Sequence, residues 1–284
     1  MLRLGKEFDP LLPRPFSIYK SSVISPQSSG GSQKEVRVEI LYKVVGKGTR
    51  LMAGIGPGAK LDILGTLGRG FQVPHNLKTA ILVAGGIGVP PIVALAEHLG
   101  VRGEGEFMIH GSVFTEKTHR FNGGSPTSPP EADPEPIASA RGKRPRLLAF
   151  LGGKTKEDVL CIKDFEKLGA EIHIATEDGS LGFRGLVTDI LKNSLPFAIS
   201  HQPSAIYACG PHPMLAEVAS IASKHRIPCQ VSLETIMACG IGACMGCAIK
   251  VRSQGSHQPS AISHKQYKLA CKDGPVFDAG EIEW

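Results

Sequence analysis

The chain has 284 residues, enough for two or three small domains, and its 42% hydrophobic and 20% charged content is that of a soluble globular protein. A net charge of +6 with no basic stripe or nucleic-acid motif argues against DNA or RNA as a partner. Seven cysteines make no even disulfide framework, and the charged start (Arg3, Lys6, Glu7, Asp9) lacks a signal peptide's apolar core, so the cytoplasm is the expected compartment.

Residues 1–75 read as short strands with frequent turns. The stretch 36–40 alternates with period two, and 61–64 is a second short strand. Glycines at 46, 48, 54, 56, 58, 65, 68 and 70 suit the corners of a small barrel. The Ser-, Gly- and Gln-rich stretch 25–34 reads as an exposed hairpin extension.

Near residue 78 the pattern changes. The continuous apolar run 79–84 predicts a buried strand, and helical spacing follows over 91–99. Gly85, Gly86, Gly88, Pro90 and Pro91 break this apolar region, which fits strand, loop and helix rather than a membrane span. Strands are predicted at 147–151, 171–176 and 205–208, and helices at 156–168, 186–192 and 213–224. This alternation implies a doubly wound parallel sheet. The Pro-rich stretch 112–146 interrupts it and reads as a disordered surface insertion, ending in a basic run at 141–146 taken as a solvated hinge. Strands are expected at 229–233 and 248–251, a loose polar segment at 253–265, and a return of the chain at 267–271.

Cys239, Cys244 and Cys247 are spaced x4 then x2, and Cys271 follows 24 positions later. This is the plant-type thiolate array of a [2Fe-2S] cluster, and the interleaved glycines suit a loop wrapped around one. A structural zinc site is the competing reading, but such sites usually show two C-x2-C-like pairs and this chain has one. A cluster moves single electrons, so the chain is read as an electron carrier.

Two Gly-rich turns follow predicted strands. Gly85-Gly86-Ile87-Gly88-Val89-Pro90-Pro91 offers backbone amides and a helix start to a phosphate, or is simply a tight strand–helix turn. Cys209-Gly210-Pro211-His212-Pro213 is the second, and the two would frame a dinucleotide between them. Cys209 is then either beside the reactive end or an ordinary buried strand-end cysteine. Arg14-Pro15-Phe16-Ser17 offers a cation for a pyrophosphate and a hydroxyl for a polar ring edge, or is an ordinary barrel strand. Lys154, Thr155 and Lys156 lie where a 2′-phosphate could sit, or cap a helix, so NAD and NADP are not separated.

Together these runs resemble the ferredoxin–NADP reductase superfamily. Gln230-Val231-Ser232-Leu233-Glu234, the Met237–Cys247 run and Cys271-Lys272-Asp273-Gly274-Pro275-Val276-Phe277 narrow the resemblance to electron-transfer subunits of class B dihydroorotate dehydrogenase. The resemblance implies an α/β plus β fold in three domains: a flavin-binding β-barrel (1–76), a doubly wound NAD-binding α/β domain (77–226) and a [2Fe-2S] domain (227–284). Family members usually open with two or more further barrel strands and a Pro-Gly-Gln-Phe turn; this sequence starts after them, which implies either a misplaced start codon or an incomplete barrel. By resemblance, Arg14, Pro15, Phe16, Ser17, Leu41, Tyr42, Lys43, Gly48 and Thr49 hold FAD. Gly86, Gly88, Cys209, Gly210 and Pro211 shape the NAD site, and Cys239, Cys244, Cys247 and Cys271 bind the cluster. No acid–base residue is needed. The implied partner is an FMN-containing catalytic subunit that oxidises dihydroorotate to orotate for pyrimidine biosynthesis, in a heterotetramer with two of each subunit. Rival readings are a subunit of an NAD(P)H–ferredoxin or sulfur oxidoreductase, and a redox-sensing binding module.

Overall fold

The computed structural model describes residues 1–3, 13–24, 35–100, 144–198, 203–252 and 267–284. The predicted hairpin extension at 25–34, the insertion up to residue 143 and the polar segment 253–265 lie outside the described residues.

The N-terminal part holds two ribbons. β1 (Leu2–Arg3) pairs antiparallel with β4 (Asp62–Ile63), and β2 (Lys20–Ile24) pairs antiparallel with β3 (Glu35–Glu39). Among the described residues these are two separate two-stranded sheets. Between them stands α1 (Lys47–Ala53), where strands and turns were predicted. Thr49 explains it: its Oγ1 accepts the amides of Val45 at 2.9 Å and Gly46 at 3.1 Å, and Arg50, Leu51, Met52 and Ala53 are good helix formers.

The main sheet has seven strands in the order β13-β10-β9-β5-β6-β7-β8. They are β5 (Thr79–Gly85), β6 (Arg146–Gly153), β7 (Glu171–Thr176), β8 (Phe183–Arg184), β9 (Ser204–Cys209), β10 (Cys229–Ser232) and β13 (Val276–Asp278). All pairings are parallel except that of β13 with β10. Every residue of β5 is buried, as expected of a central parallel strand covered on both faces. Its side chains alternate between two cores. Ile81 and Val83 pack with α4 (Val187–Ala198) and α5 (His212–His225), while Ala80, Leu82 and Ala84 pack with α2 (Val89–Gly100) and α3 (Ile162–Lys167). The chain winds from β5 through β6 to β7 in one direction, then from β9 to β10 in the other. The direction reverses between β5 and β9, where open α/β sheets bind ligands.

Beyond α1, three elements of the sheet region differ from expectation. The helix predicted over 156–168 is interrupted: a 3-10 turn at Lys156–Asp158 gives way to extended backbone at Val159, whose side chain is buried, and Cys161 takes a left-handed φ of 63° before α3 starts. The edge strand β8 and the late strand β13 were not predicted. β10 and β13 belong to the main sheet, so that sheet continues across the expected boundary at 226/227. A separate ribbon, β11 (Ala248–Lys250) with β12 (Tyr267–Leu269), brings Cys271 back toward Cys247. Among the described residues, no helix is long and apolar enough to cross a membrane.

Candidate functional site

The four spaced cysteines are linked by local contacts. Cys239 Sγ accepts the amides of Ile241 and Cys244, each at 3.4 Å. Cys244 Sγ accepts Gly246 N at 3.4 Å, and Cys247 Sγ accepts Cys271 N at 3.5 Å. The loop turns its amides inward by left-handed steps at Gly240 and Gly242 and, unusually for a non-glycine, at Met245 (φ 58°). Amide donation from Ile241 and Cys244 lowers the Cys239 thiol to about 6, whereas burial pushes the Cys271 thiol up to about 11. The thiols stand as two interacting pairs, Cys239 with Cys244 and Cys247 with Cys271. Among the described residues no three His, Cys, Asp or Glu side chains close around a single-ion position. Cys247 and Cys271 are buried while Cys244 is exposed, flanked by Ile241 and Met245 at 66% and 51% exposure. This donor set fits a two-iron cluster: four sulfurs in two pairs, with main-chain donors aimed at the sulfurs.

The two Gly-rich turns abut at the carboxyl ends of β5 and β9, where Ala84 is in register with Cys209. A Cβ on Gly88 would lie 2.6 Å from the Cys209 carbonyl oxygen and 2.7 Å from Gly210 Cα. Gly210, at φ +157°, would likewise meet Gly85 N at 3.0 Å. Gly86 is different. It is left-handed (φ +53°), and a Cβ there would meet nothing within 4 Å, so its backbone faces open space above the turn. That open, glycine-lined strand end fits a nucleotide phosphate. Cys209 is fully buried; burial, with the Glu234 charge adding and a Ser232 hydrogen bond opposing, pushes its thiol up to about 12. It is a neutral strand-end thiol beside the turn.

The structure also joins the N-terminal candidates. Arg14 pairs with Leu2 through both main-chain hydrogen bonds, and Phe16 meets Tyr42 edge-on at 5.9 Å between centroids. Gly48 is buried in α1, one residue before the capping Thr49. Ser17 and Lys43 are exposed, and Pro15 and Leu41 are half-buried. Pro211 stands just before α5.

Sequence reasoning missed what ties these groups to the sheet. The Tyr19 hydroxyl donates to Asp164 Oδ2 at 2.7 Å, and Lys20 Nζ donates to Asp164 Oδ1 at 2.6 Å and lies 3.5 Å from Glu97 Oε1. Lys43 Nζ pairs with Asp158 Oδ1 at 3.2 Å. No local pattern signals contacts spanning 115 to 145 positions. Between the second turn and the first cysteine, Thr235 Oγ1 is buried with no hydrogen-bond partner. A cleft of about 630 Å³ lies elsewhere, between Arg69, Gln72 and the C-terminal residues Lys268, Asp273 and Asp278; none of the predicted cofactor residues lines it.

Residues 234–283 match the family described as the iron-sulfur cluster binding domain of dihydroorotate dehydrogenase B. The chain is 31% identical over 283 residues to the dihydroorotate dehydrogenase B (NAD(+)) electron transfer subunit of Desulforamulus reducens, covering 100% of this chain and 84% of that one. It is 34% identical over 285 residues to the subunit of the same name from Geobacillus kaustophilus, covering 99% and 84%. Among solved structures, an NADH-dependent reduced ferredoxin-NADP oxidoreductase is similar in fold, with a TM-score of 0.60 at 24% identity over 87% of this chain and 69% of that one.

Proposed function

Since the chain belongs to the family of dihydroorotate dehydrogenase B electron transfer subunits, we propose that it carries electrons between NAD and a catalytic partner subunit by way of FAD and a [2Fe-2S] cluster. The observation that carries this reading is the pair of thiol pairs, with amides turned toward the sulfurs, in the segment between β10 and β13 of the sheet that also bears the two abutting glycine turns. Cys239, Cys244, Cys247 and Cys271 hold the cluster, one pair to each iron. Gly86, Gly88, Gly210 and Pro211 shape the nicotinamide nucleotide site at the strand reversal, with Cys209 as its buried floor. Arg14, Pro15, Phe16 and Ser17, with Leu41, Tyr42, Lys43, Gly48 and Thr49, hold FAD. We assign the two N-terminal ribbons to the flavin-binding part, so the three functional parts correspond to 1–76, 77–226 and 227–284.

When bound, flavin converts between the hydride of a nicotinamide and the single electrons of an iron–sulfur cluster. The chain's own work is to position. The glycine turns admit the nucleotide, the N-terminal segments hold the flavin, and exposed Cys244 puts the cluster edge at the surface for a partner. We take that partner to be an FMN-containing subunit oxidising dihydroorotate, in a heterotetramer of two subunits of each kind.

An anaerobic NADH titration of the reconstituted chain tests this, read by visible spectra and low-temperature EPR. Flavin bleaching together with a reduced [2Fe-2S] signal is expected. A cluster signal with dithionite but none with NADH would sever the nicotinamide–flavin part of the reading.

A further inference from the structure

Two segments assigned to the flavin are anchored on one short stretch of the nucleotide-side fold. Tyr19 stands two residues beyond Ser17, and its hydroxyl donates to Asp164 at 2.7 Å. Lys20 donates to the other oxygen of the same carboxylate at 2.6 Å and is 3.5 Å from Glu97 of α2. Lys43, beside Tyr42, pairs with Asp158 at 3.2 Å. Asp158 and Asp164 both belong to the segment that follows β6, which opens with Thr155 and Lys156 at the carboxyl end of the sheet. That segment is itself held: Lys156 N donates to Ser180 Oγ at 2.8 Å, and Phe165 of α3 is fully buried. The Asp164 side chain is only 15% exposed, and Tyr19 packs against the core formed by α2 and α3. A bidentate, largely buried carboxylate gripping adjacent residues of another segment fixes orientation as well as distance. The Lys43–Asp158 pair is exposed and serves as a second, looser tie.

We infer that Asp164 is a positioning residue: through Tyr19 and Lys20 it sets the flavin-holding segment against the sheet so that flavin and nicotinamide meet in register for hydride transfer. The inference rests on the reading above, which puts flavin on residues 14–17 and nicotinamide at the β5–β9 turns. The step it serves balances as NADH plus a proton and FAD giving NAD and FADH2, with the hydride carrying both electrons. Asp164 touches neither ring and exchanges no proton with them. Misplacing reacting centres by about 1 Å costs on the order of 100-fold in rate, so a slackened grip reduces turnover rather than binding.

The test compares the reconstituted full chain with Asp164→Asn, Tyr19→Phe and Asp164→Glu, with Glu217→Gln, which breaks the remote Lys192–Glu217 pair, as control. Flavin content and the dithionite-reduced EPR signal are measured first, then flavin reduction by NADH in rapid mixing. The long-wavelength charge-transfer absorbance of nicotinamide against flavin reports ring stacking independently of turnover. Asp164→Asn and Tyr19→Phe should keep flavin and cluster, lose on the order of 10-fold or more in the reduction rate with a KM for NADH near the original, and weaken the charge-transfer band. Asp164→Glu should recover part of both, and Glu217→Gln should change neither. Rates and band within twofold of the unmodified chain in both Asp164→Asn and Tyr19→Phe would overturn the inference. So would loss of FAD itself, which would make these residues part of flavin binding. If NADH fails to reduce flavin in the unmodified chain, the functional reading fails first and takes the inference with it.

Discussion

Replacing Gly88 with alanine should strike the fold and the nucleotide site together. The new Cβ would lie 2.6 Å from the Cys209 carbonyl oxygen, 2.7 Å from its carbonyl carbon and 2.7 Å from Gly210 Cα, whereas ordinary contacts begin at 3.4 Å. All three atoms are main chain, so no side chain can swing aside. Gly210 has little room to retreat, because its own turn is packed against Gly85 and Met214. The ends of β5 and β9 must therefore separate by several tenths of an ångström. Overpacking of this kind costs about 1–3 kcal/mol. At roughly 2–4 °C per kcal/mol in a protein of this size, the melting temperature should fall by about 2–12 °C. Gly56→Ala is the matched control: its Cβ would meet nothing within 4 Å and its φ is not left-handed, so the change should be neutral or slightly stabilising. Thermal unfolding followed by circular dichroism measures stability, and an NADH titration measures the site. A Gly88→Ala protein that melts with the parent and binds NADH as tightly would mean that the two turns are not in contact, and the argument for a shared nucleotide cradle would fall.

Cys244→Ser should abolish electron transfer through the cluster while NADH-to-dye activity through FAD persists; simultaneous loss of both would deny that the two cofactors are held separately. Burial pushes the Asp164 carboxyl up, but hydrogen bonds from Lys20 and Tyr19 and the Lys20 charge outweigh it and leave it below the ordinary aspartate value of 3.8. A depressed carboxyl stabilises the fold above its unfolded value and loses that contribution as pH falls through its folded value. Asp164→Asn should therefore narrow its stability gap to the parent only in acid, below about pH 4, as urea unfolding across pH 3–7 would show. Leu191 is fully buried in α4 between the helix pair and the sheet, and Leu191→Ala should cost about 2–5 kcal/mol in denaturant unfolding. A loss below 1 kcal/mol would contradict the packing of that face.

What could be read in advance follows the range of the interactions involved. The runs that became the cores of β5, β6 and β9 are so uniformly apolar that burial on both faces was legible from the sequence. The cysteine spacing was legible because three of the four sulfurs are set by one local loop. The break at Cys161 was not, since burial of Val159 overrides a helical pattern that continues through it. Helix α1 hid behind its glycines, and the decisive group, the Thr49 hydroxyl, reveals itself only in the capped turn. The two-residue edge strand β8 owes its pairing to β7, and β13 its place to β10. The grip of Asp164 on Tyr19 and Lys20 joins residues about half the chain apart, where no periodicity reaches.

The placement of β13 makes the cysteine-bearing segment a modular part of the chain. Gln230 faces Asp278, Val231 faces Phe277 and Ser232 faces Val276, so the chain leaves the sheet after β10 and re-enters on the adjacent strand. Everything between, including all four clustered cysteines, is an excursion whose two ends start side by side. The excursion is separable from the sheet, because a tight turn between the same two strands would close the sheet as well. The cysteine-bearing portion is then an insertion between two neighbouring strands of the sheet. Its exchange for a short hairpin would keep the β10–β13 pairing and remove all four thiols at once.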